Sequence, residues 1–210
     1  MYAPTQSDSG AVTAALAGVL KTYGRERLEL EFRLGQRVGT RFVPGVTEES
    51  WERLKAKMDA SAKLEATQSC TKELIPGDEG AKYVDTPSGT GGYWMHKKRL
   101  HNFDMDQHGP WCCRVSMSLE VVNPPDVQGQ SPADCKFERH KQRWSYVYRC
   151  WSIDLTKVAS NLPHQLDNDG VSYEVEIELV DTAELFTRPM GELMEWGLRL
   201  VGDMCDMLAP

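Results

Sequence analysis

The sequence predicts a mainly β fold with flanking helices, in which an antiparallel sheet of about eight strands closes into a barrel around a charged interior. Three observations predict it. From Tyr93 onward, short segments of alternating polar and apolar residues recur between turn-rich stretches, as in antiparallel sheets and barrels. Near opposite ends of the chain, Glu29-Leu30-Glu31 and Glu174-Val175-Glu176-Ile177-Glu178 carry acid at every second residue. Between them, Arg139, Lys141 and Arg143 form a basic row of the same period. Alternate side chains of a strand point to opposite faces, so each row gathers on one side. Any one row alone reads as the solvated face of an ordinary amphipathic strand. Acidic and basic rows together are complementary, and like charges packed this closely need a cation between them. Closure leaves no sheet edge unpaired, and about eight strands give a lumen for charged side chains plus a small ligand. Glutamates on one wall and Arg/Lys on another suit a divalent cation together with a polyanion such as triphosphate.

The elements follow in order. Met1 to Gly10 is polar, with Pro4, Ser7 and Ser9, and reads as a frayed tail. Ala11 to Tyr23 is rich in Ala and Leu and stops at Gly24, a short packing helix. In the first acidic strand Leu28, Leu30 and Phe32 oppose Glu29, Glu31 and Arg33. Thr47 caps a helix with Glu48 and Glu49 at its positive end and Trp51, Leu54 and Met58 on one core-facing side. Thr67 to Gly92 shows turn signals (Pro76-Gly77, Pro87, Ser88 to Gly92) and no clear period. Its glycine run lacks the Gly-Lys-Ser/Thr ending of a phosphate loop and reads as a hairpin turn. Strands are then predicted over Tyr93 to Phe103, Cys112 to Val122, Phe137 to Tyr148, Cys150 to Val158 and Ser172 to Val180. Two add polar rows: Arg114, Ser116, Ser118 and Glu120 on one, Ser152, Asp154 and Thr156 on the other. A final helix spans Gly191 to Leu208, with Leu193, Trp196, Leu200 and Met204 at helical spacing.

Composition bounds the function. The chain has 210 residues, 40% hydrophobic and 26% charged, enough for one sizeable core. No apolar run approaches the roughly 20 residues of a membrane span, and no basic-then-apolar leader opens the chain. A net charge of −7 argues against a broad electrostatic grip on nucleic acid. It leaves room for one highly charged chain end held in a pocket. The six cysteines lack Cys-x-x-Cys spacing and the five histidines lack ligand-pair spacing. Reduced thiols and no zinc are therefore expected.

Four segments carry a family resemblance: Glu29-Leu30-Glu31-Phe32-Arg33-Leu34-Gly35, Arg139-His140-Lys141-Gln142-Arg143-Trp144-Ser145-Tyr146, Ile153-Asp154-Leu155-Thr156-Lys157-Val158 and Tyr173-Glu174-Val175-Glu176-Ile177-Glu178-Leu179. In content and order they resemble the metal-dependent RNA 5′-triphosphatases of fungi, protozoa and large DNA viruses, the mRNA-capping members of the triphosphate tunnel metalloenzymes. The likeness spans about Arg27 to Val180.

The resemblance implies a tail and packing helix over residues 1–24 and a tunnel catalytic domain over 25–210. It implies Mg²⁺ or Mn²⁺ held by Glu29, Glu31 and Glu178, and water held by Glu120 and Glu176. Arg139, Lys141 and Arg143 would line a phosphate-binding wall, with Asp154 and Thr156 supporting it, and Glu174 and Arg33 would orient their neighbours. Lys82 falls where the family has a phosphate-binding arginine. Another tunnel lysine of the family falls at Lys97, with Lys98 as the alternative. Ser152 departs from the family pattern, which has arginine there. A lysine supplies a point charge without a bidentate fork, so the contact at Lys82 would differ in geometry. The implied reaction removes the γ-phosphate from the 5′-triphosphate end of nascent RNA, with a guanylyltransferase as a possible partner. The implied setting is nuclear for a cellular protein, and infected-cell cytoplasm or nucleus for a viral one. Two alternatives stand beside it: another tunnel hydrolase acting on tripolyphosphate or thiamine triphosphate, and a silent polyphosphate-binding module. The full glutamate set argues against the silent module, and Arg33 with the Ile-Asp-Leu-Thr segment argues for the RNA branch.

Overall fold

Alternation of apolar and charged residues sets the architecture, because every apolar row must find a cover and every charged row a counter-charge. A computed structural model gives the protein's structure and describes residues 6–62, 64, 66–77, 80–86, 91–106, 110–127, 129–162 and 170–209. Helix α1 (Gln6–Tyr23) leads into β1 (Leu28–Val38), β2 (Arg41–Pro44) and α2 (Glu48–Asp59). Seven strands follow: β3 (Ala66–Ile75), β4 (Ala81–Asp85), β5 (Tyr93–Asp106), β6 (Trp111–Val122), β7 (Phe137–Tyr148), β8 (Trp151–Ser160) and β9 (Val171–Leu179). A short turn of helix, α3 (Glu184–Thr187), precedes the long α4 (Met190–Leu208).

The strands run β1-β6-β5-β4-β3-β7-β8-β9, and β9 returns to β1 through Glu31↔Glu178, Phe32↔Ile177 and Arg33↔Glu176. Eight strands close the ring, while β2 extends the far end of β1 as a flap. Every ladder is antiparallel. The predicted closed barrel is therefore the observed one.

Outside the ring, Leu30, Phe32 and Leu34 of β1, Val115 and Met117 of β6, Leu155 of β8 and Ile177 of β9 are buried. They meet Val12 and Leu16 of α1, Trp51, Leu54 and Met58 of α2, and Leu193, Val201 and Met204 of α4 in one core. The Thr47 hydroxyl caps α2 by accepting from the Ser50 backbone N–H, and the three predicted core residues of that helix are buried. Trp51 also ties α2 to the barrel by donating to the Glu174 carbonyl at 3.3 Å. The helices cover the part of the ring that holds β1, β6, β8 and β9, and α2 also reaches β7, where Trp51 packs on Trp144 and Asp59 accepts from the Tyr146 hydroxyl. Elsewhere, Cys70 of β3 and His140 of β7 face solvent.

Two departures from the sequence reading have physical reasons. Residues 6–10, read as frayed, are helical, because Ser7, Asp8 and Ser9 fill a helix N-terminus without breaking it. Residues 1–5 lie outside the described residues. The stretch from Thr67 to Gly92 contains β3 and β4. In β3 both faces are largely polar, Ser69, Thr71 and Glu73 on one and Gln68, Cys70 and Lys72 on the other, so no hydrophobic period reveals it. The predicted turns at 87–90 and 167–169 fall outside the described residues.

Helix α4 lies close against the barrel at Gly197. A Cβ there would lie 2.7 Å from the Phe32 ring and 3.1 Å from Trp151. Gly202, in the same helix, has nothing within 4 Å. Gly202→Ala should therefore add the ordinary helix gain of up to about 1 kcal/mol. Gly197→Ala should instead cost a net of about 1–2 kcal/mol, because overpacking outweighs that gain. Thermal melts of the two variants should move in opposite directions.

Candidate active site

The pairing of β1 with β9 creates the acidic wall. It sets Glu31 opposite Glu178 and Arg33 opposite Glu176, all on the inner face. On the other side of β1, Glu29 faces Ser118 and Glu31 faces Ser116 across to β6, and β6 brings Glu120 opposite Lys97 of β5. The basic wall comes from β3, β4 and β7, where Thr71 pairs with Lys141 and Glu73 with Arg139, while Lys82 points inward from β4. Between the walls lies a cavity of ≈ 300 Å³. Glu29, Glu31, Glu120, Glu176 and Glu178 line it, as do Arg33, Lys82, Lys97, Lys141 and Arg143.

Four predicted site residues lie behind that lining. Asp154 accepts from Arg143 Nη1 at 2.8 Å, and the Thr156 hydroxyl accepts from Arg143 Nε at 3.0 Å. With Glu176 on Nη2 at 3.0 Å, all three nitrogens of that guanidinium are held. Ser152 donates to Asp154 at 2.5 Å, so the position that departs from the family pattern tethers the carboxylate that anchors Arg143. Arg139, expected on the phosphate-binding wall, stands behind the cavity lining and pairs with Glu174 at 3.1 Å, which puts Glu174 in the expected position to orient a neighbouring cation. Glu174 sits on the β9 register opposite Thr156, where Arg139 reaches it first. Lys98 points away from the lumen and is exposed, which assigns the tunnel lysine to Lys97.

One residue of the site had no signal in the sequence. Glu73 of β3 is 3% exposed and stands among the cations, 2.7 Å from Lys82 Nζ, 3.0 Å from Lys141 Nζ and 3.4 Å from Arg139 Nη1. It is a lone acid in a strand without periodicity, and only the pairing of β3 with β7 puts it there.

Charge governs the protonation of these groups. Burial raises the pKa of Glu73, but Lys141, Lys82 and Arg139 overcome it and hold the carboxyl down at about 2. Glu176 is likewise buried, yet Arg33 and Arg143 keep it well below the usual carboxylate range. Burial pushes the Lys141 ammonium down, and the neighbouring Arg139 and Lys82 push it the same way. Glu178 behaves oppositely. It makes no ion pair among the described residues, and burial, then Glu29 and Asp154, push it up to about 8. Burial also raises Glu31, and Arg33 and Lys97 only partly offset it.

Hard carboxylate oxygens around a small cavity are the donor set of Mg²⁺ or Mn²⁺. Among the described residues no three His, Cys, Asp or Glu side chains form a ready-made cluster for a metal ion. Lys97 lies between Glu29, Glu31 and Glu120, and Arg33 bridges Glu31 and Glu176. Glu178 makes no ion pair among the described residues, so these cations leave one carboxylate of the acidic wall without a counter-charge. The residues fit a divalent cation once Lys97 gives way.

These opposite shifts predict opposite variants in metal- and phosphate-free buffer. The folded protein holds the Glu178 proton above the ordinary value of 4.5, so the stability from this group is present below that pH and is lost as pH rises towards about 8. Glu178→Gln should therefore match the wild-type melting temperature near pH 5 in chelator and exceed it above pH 8. Glu73→Gln removes the counter-charge of three buried cations and should cost about 3–5 kcal/mol at pH 7. Melts of both variants across pH 5–9 check the pair, and equal curves for Glu178→Gln and wild type would refute the unpaired carboxylate.

The comparisons with known proteins agree with this geometry. Residues 85–191 match the family described as "mRNA capping enzyme, beta chain". A curated relative, the 5′RNA triphosphatase A449R of Paramecium bursaria Chlorella virus 1, is 32% identical over 186 residues, covering 89% of this chain and 92% of that protein. Among solved structures, the S. pombe Pct1 RNA triphosphatase superposes with a TM-score of 0.79 at 18% identity, over 97% of this chain and 93% of that one. The Mimivirus capping enzyme triphosphatase superposes at 0.58 and 13% identity, over 95% and 98%. With the barrel, the two charged walls and the order of their motifs in place, the chain belongs to the mRNA-capping β-chain family, the tunnel-fold RNA triphosphatases.

Proposed function

We propose that the protein hydrolyses the β–γ bond of triphosphate-ended RNA, releasing orthophosphate and leaving a diphosphate end. The cavity carries the proposal: an acidic wall short of positive charge faces a cationic wall whose members are already oriented. Family membership favours RNA over inorganic tripolyphosphate or thiamine triphosphate as the substrate, and a guanylyltransferase is the partner that would use the diphosphate end.

Glu29, Glu31 and Glu178 are the residues that would hold a divalent cation, Mg²⁺ or Mn²⁺. When bound, it supplies charge neutralisation at the phosphate oxygens. The remaining work belongs to the chain. Arg143, held at all three nitrogens, offers a fixed guanidinium face, and Lys141 offers an ammonium that burial leaves poorly compensated. Phosphate oxygens satisfy both. Phosphoryl transfer needs mainly such positioning and neutralisation. Glu176 has both oxygens on guanidinium groups and a strongly lowered pKa, so it orients Arg33 and Arg143 rather than taking a proton. Glu120, whose nearest cation is Lys97 at 4.0 Å, is free to accept a hydrogen bond from the attacking water.

RNA labelled at the γ-phosphate tests this directly. Label should appear as orthophosphate when Mg²⁺ or Mn²⁺ is supplied and not in chelator, with tripolyphosphate and thiamine triphosphate run in parallel. Lys141→Ala should lower kcat by about 10²–10³-fold, the effect of removing one preorganised charge donor. Pyrophosphate as the main product, or faster turnover of tripolyphosphate than of RNA ends, would sink the assignment.

A further inference from the structure

Lys97 stands where the acidic wall most needs a cation. Its ammonium forms an ion pair with Glu29 and lies 3.4 Å from Glu31 Oε2 and 4.0 Å from Glu120 Oε1. Two of these carboxylates belong to the proposed ligand set, and the third is the one left free for water. The backbone of Lys97 is fixed, since its N–H donates to the Gly80 carbonyl at 2.9 Å and its strand pairs with β6 opposite Glu120. The side chain is not fixed in the same way. The ammonium donates to Glu31 Oε2 at the long distance of 3.4 Å and otherwise is held by its ion pair with Glu29. Burial opposes its charge, but Glu31 and Glu29 keep the ammonium protonated. A lysine head is a compact point charge on a flexible four-carbon stem, able to hold a cation's place and then leave it. Arg33, whose guanidinium bridges Glu31 and Glu176, has no such freedom.

We infer that Lys97 is the internal counterion of the metal-free site: its ammonium holds the place of the divalent cation and swings aside, into the phosphate-bearing part of the cavity, when that cation binds. The inference rests on the metal reading proposed above and adds a competition to it. Two cations inside one cage of carboxylates repel, so they cannot share it. Metal binding would then turn Lys97 from a partner of glutamates into a donor for phosphate, and would place the metal before the substrate in the order of binding. Only the fraction of molecules with Lys97 displaced can take up metal, and the apparent affinity falls by that fraction.

The test uses Mn²⁺ and no substrate. Free Mn²⁺ is followed by electron paramagnetic resonance during titration of wild type, Lys97→Met and Glu31→Gln. Lys97→Met should bind Mn²⁺ at least about tenfold more tightly than wild type, the gain expected if the displaced state is a minor one of 10% or less. Unchanged or weaker binding by that variant, beside normal binding by wild type, would overturn the inference. A second measurement needs no variant: reductive methylation of wild type, read by mass spectrometry. Mn²⁺ should raise labelling of Lys97 relative to the exposed Lys98, and a fall or no change would equally overturn it. If wild type itself takes up no Mn²⁺, the metal reading fails and this inference falls with it. A blank wild-type titration is the mark of that outcome alone.

Discussion

Charge neutralisation inside a closed sheet is the constraint on which the rest of this structure depends. Closing eight strands with their charged faces inward forces carboxylates and cations into one small space, where a partner left unpaired is costly. The chain answers by inserting opposite charge into each wall. Glu73 stands among Lys82, Lys141 and Arg139 of the basic wall, and Lys97 stands among Glu29, Glu31 and Glu120 of the acidic one. The lumen thus carries its own counterparts of a phosphate and of a metal. Glu178, without an ion pair among the described residues and with its pKa pushed up by burial, marks where that internal compensation falls short.

The two halves of the ring differ in their support. The acidic wall lies on β1, β6 and β9, whose outer faces are packed beneath α1, α2 and α4. The basic wall lies largely on β3, β4 and β7, and of these β7 meets α2 through Trp144 and Tyr146. A wall meant to hold metal ligands gains from such backing, because positions on rigidly packed strands hold their geometry. On the basic side the geometry is set by polar contacts as well. Arg143 is fixed by Asp154, Thr156 and Glu176, and Ser152 in turn fixes Asp154. A serine at that position replaces charge with a tether.

Legibility in the sequence follows from the same division. Strands β1, β6, β8 and β9 alternate because one face meets a hydrophobic core, and β7 alternates in charge, so all five could be read, as could α2 from its cap and α4 from its apolar period. Strands β3 and β4 could not. With polar residues on both faces of β3, nothing distinguishes it from a loop until β7 pairs along it from Ala66↔Tyr146 to Ile75↔Phe137. Glu73 was hidden for that reason.

By itself the sequence determined the closed β class, the flanking helices and the membership of both charged rows, because side-chain period and charge are properties of consecutive residues. Tertiary structure decided which charges meet. The closure of β9 on β1 chose Glu178 as the partner of Glu31, and ten residues of pairing between β3 and β7 brought Glu73 to Arg139. It also paired Arg139 with Glu174, and it put the Lys97 ammonium among the glutamates. Strand register sets such distances, and register is fixed only when the ring closes.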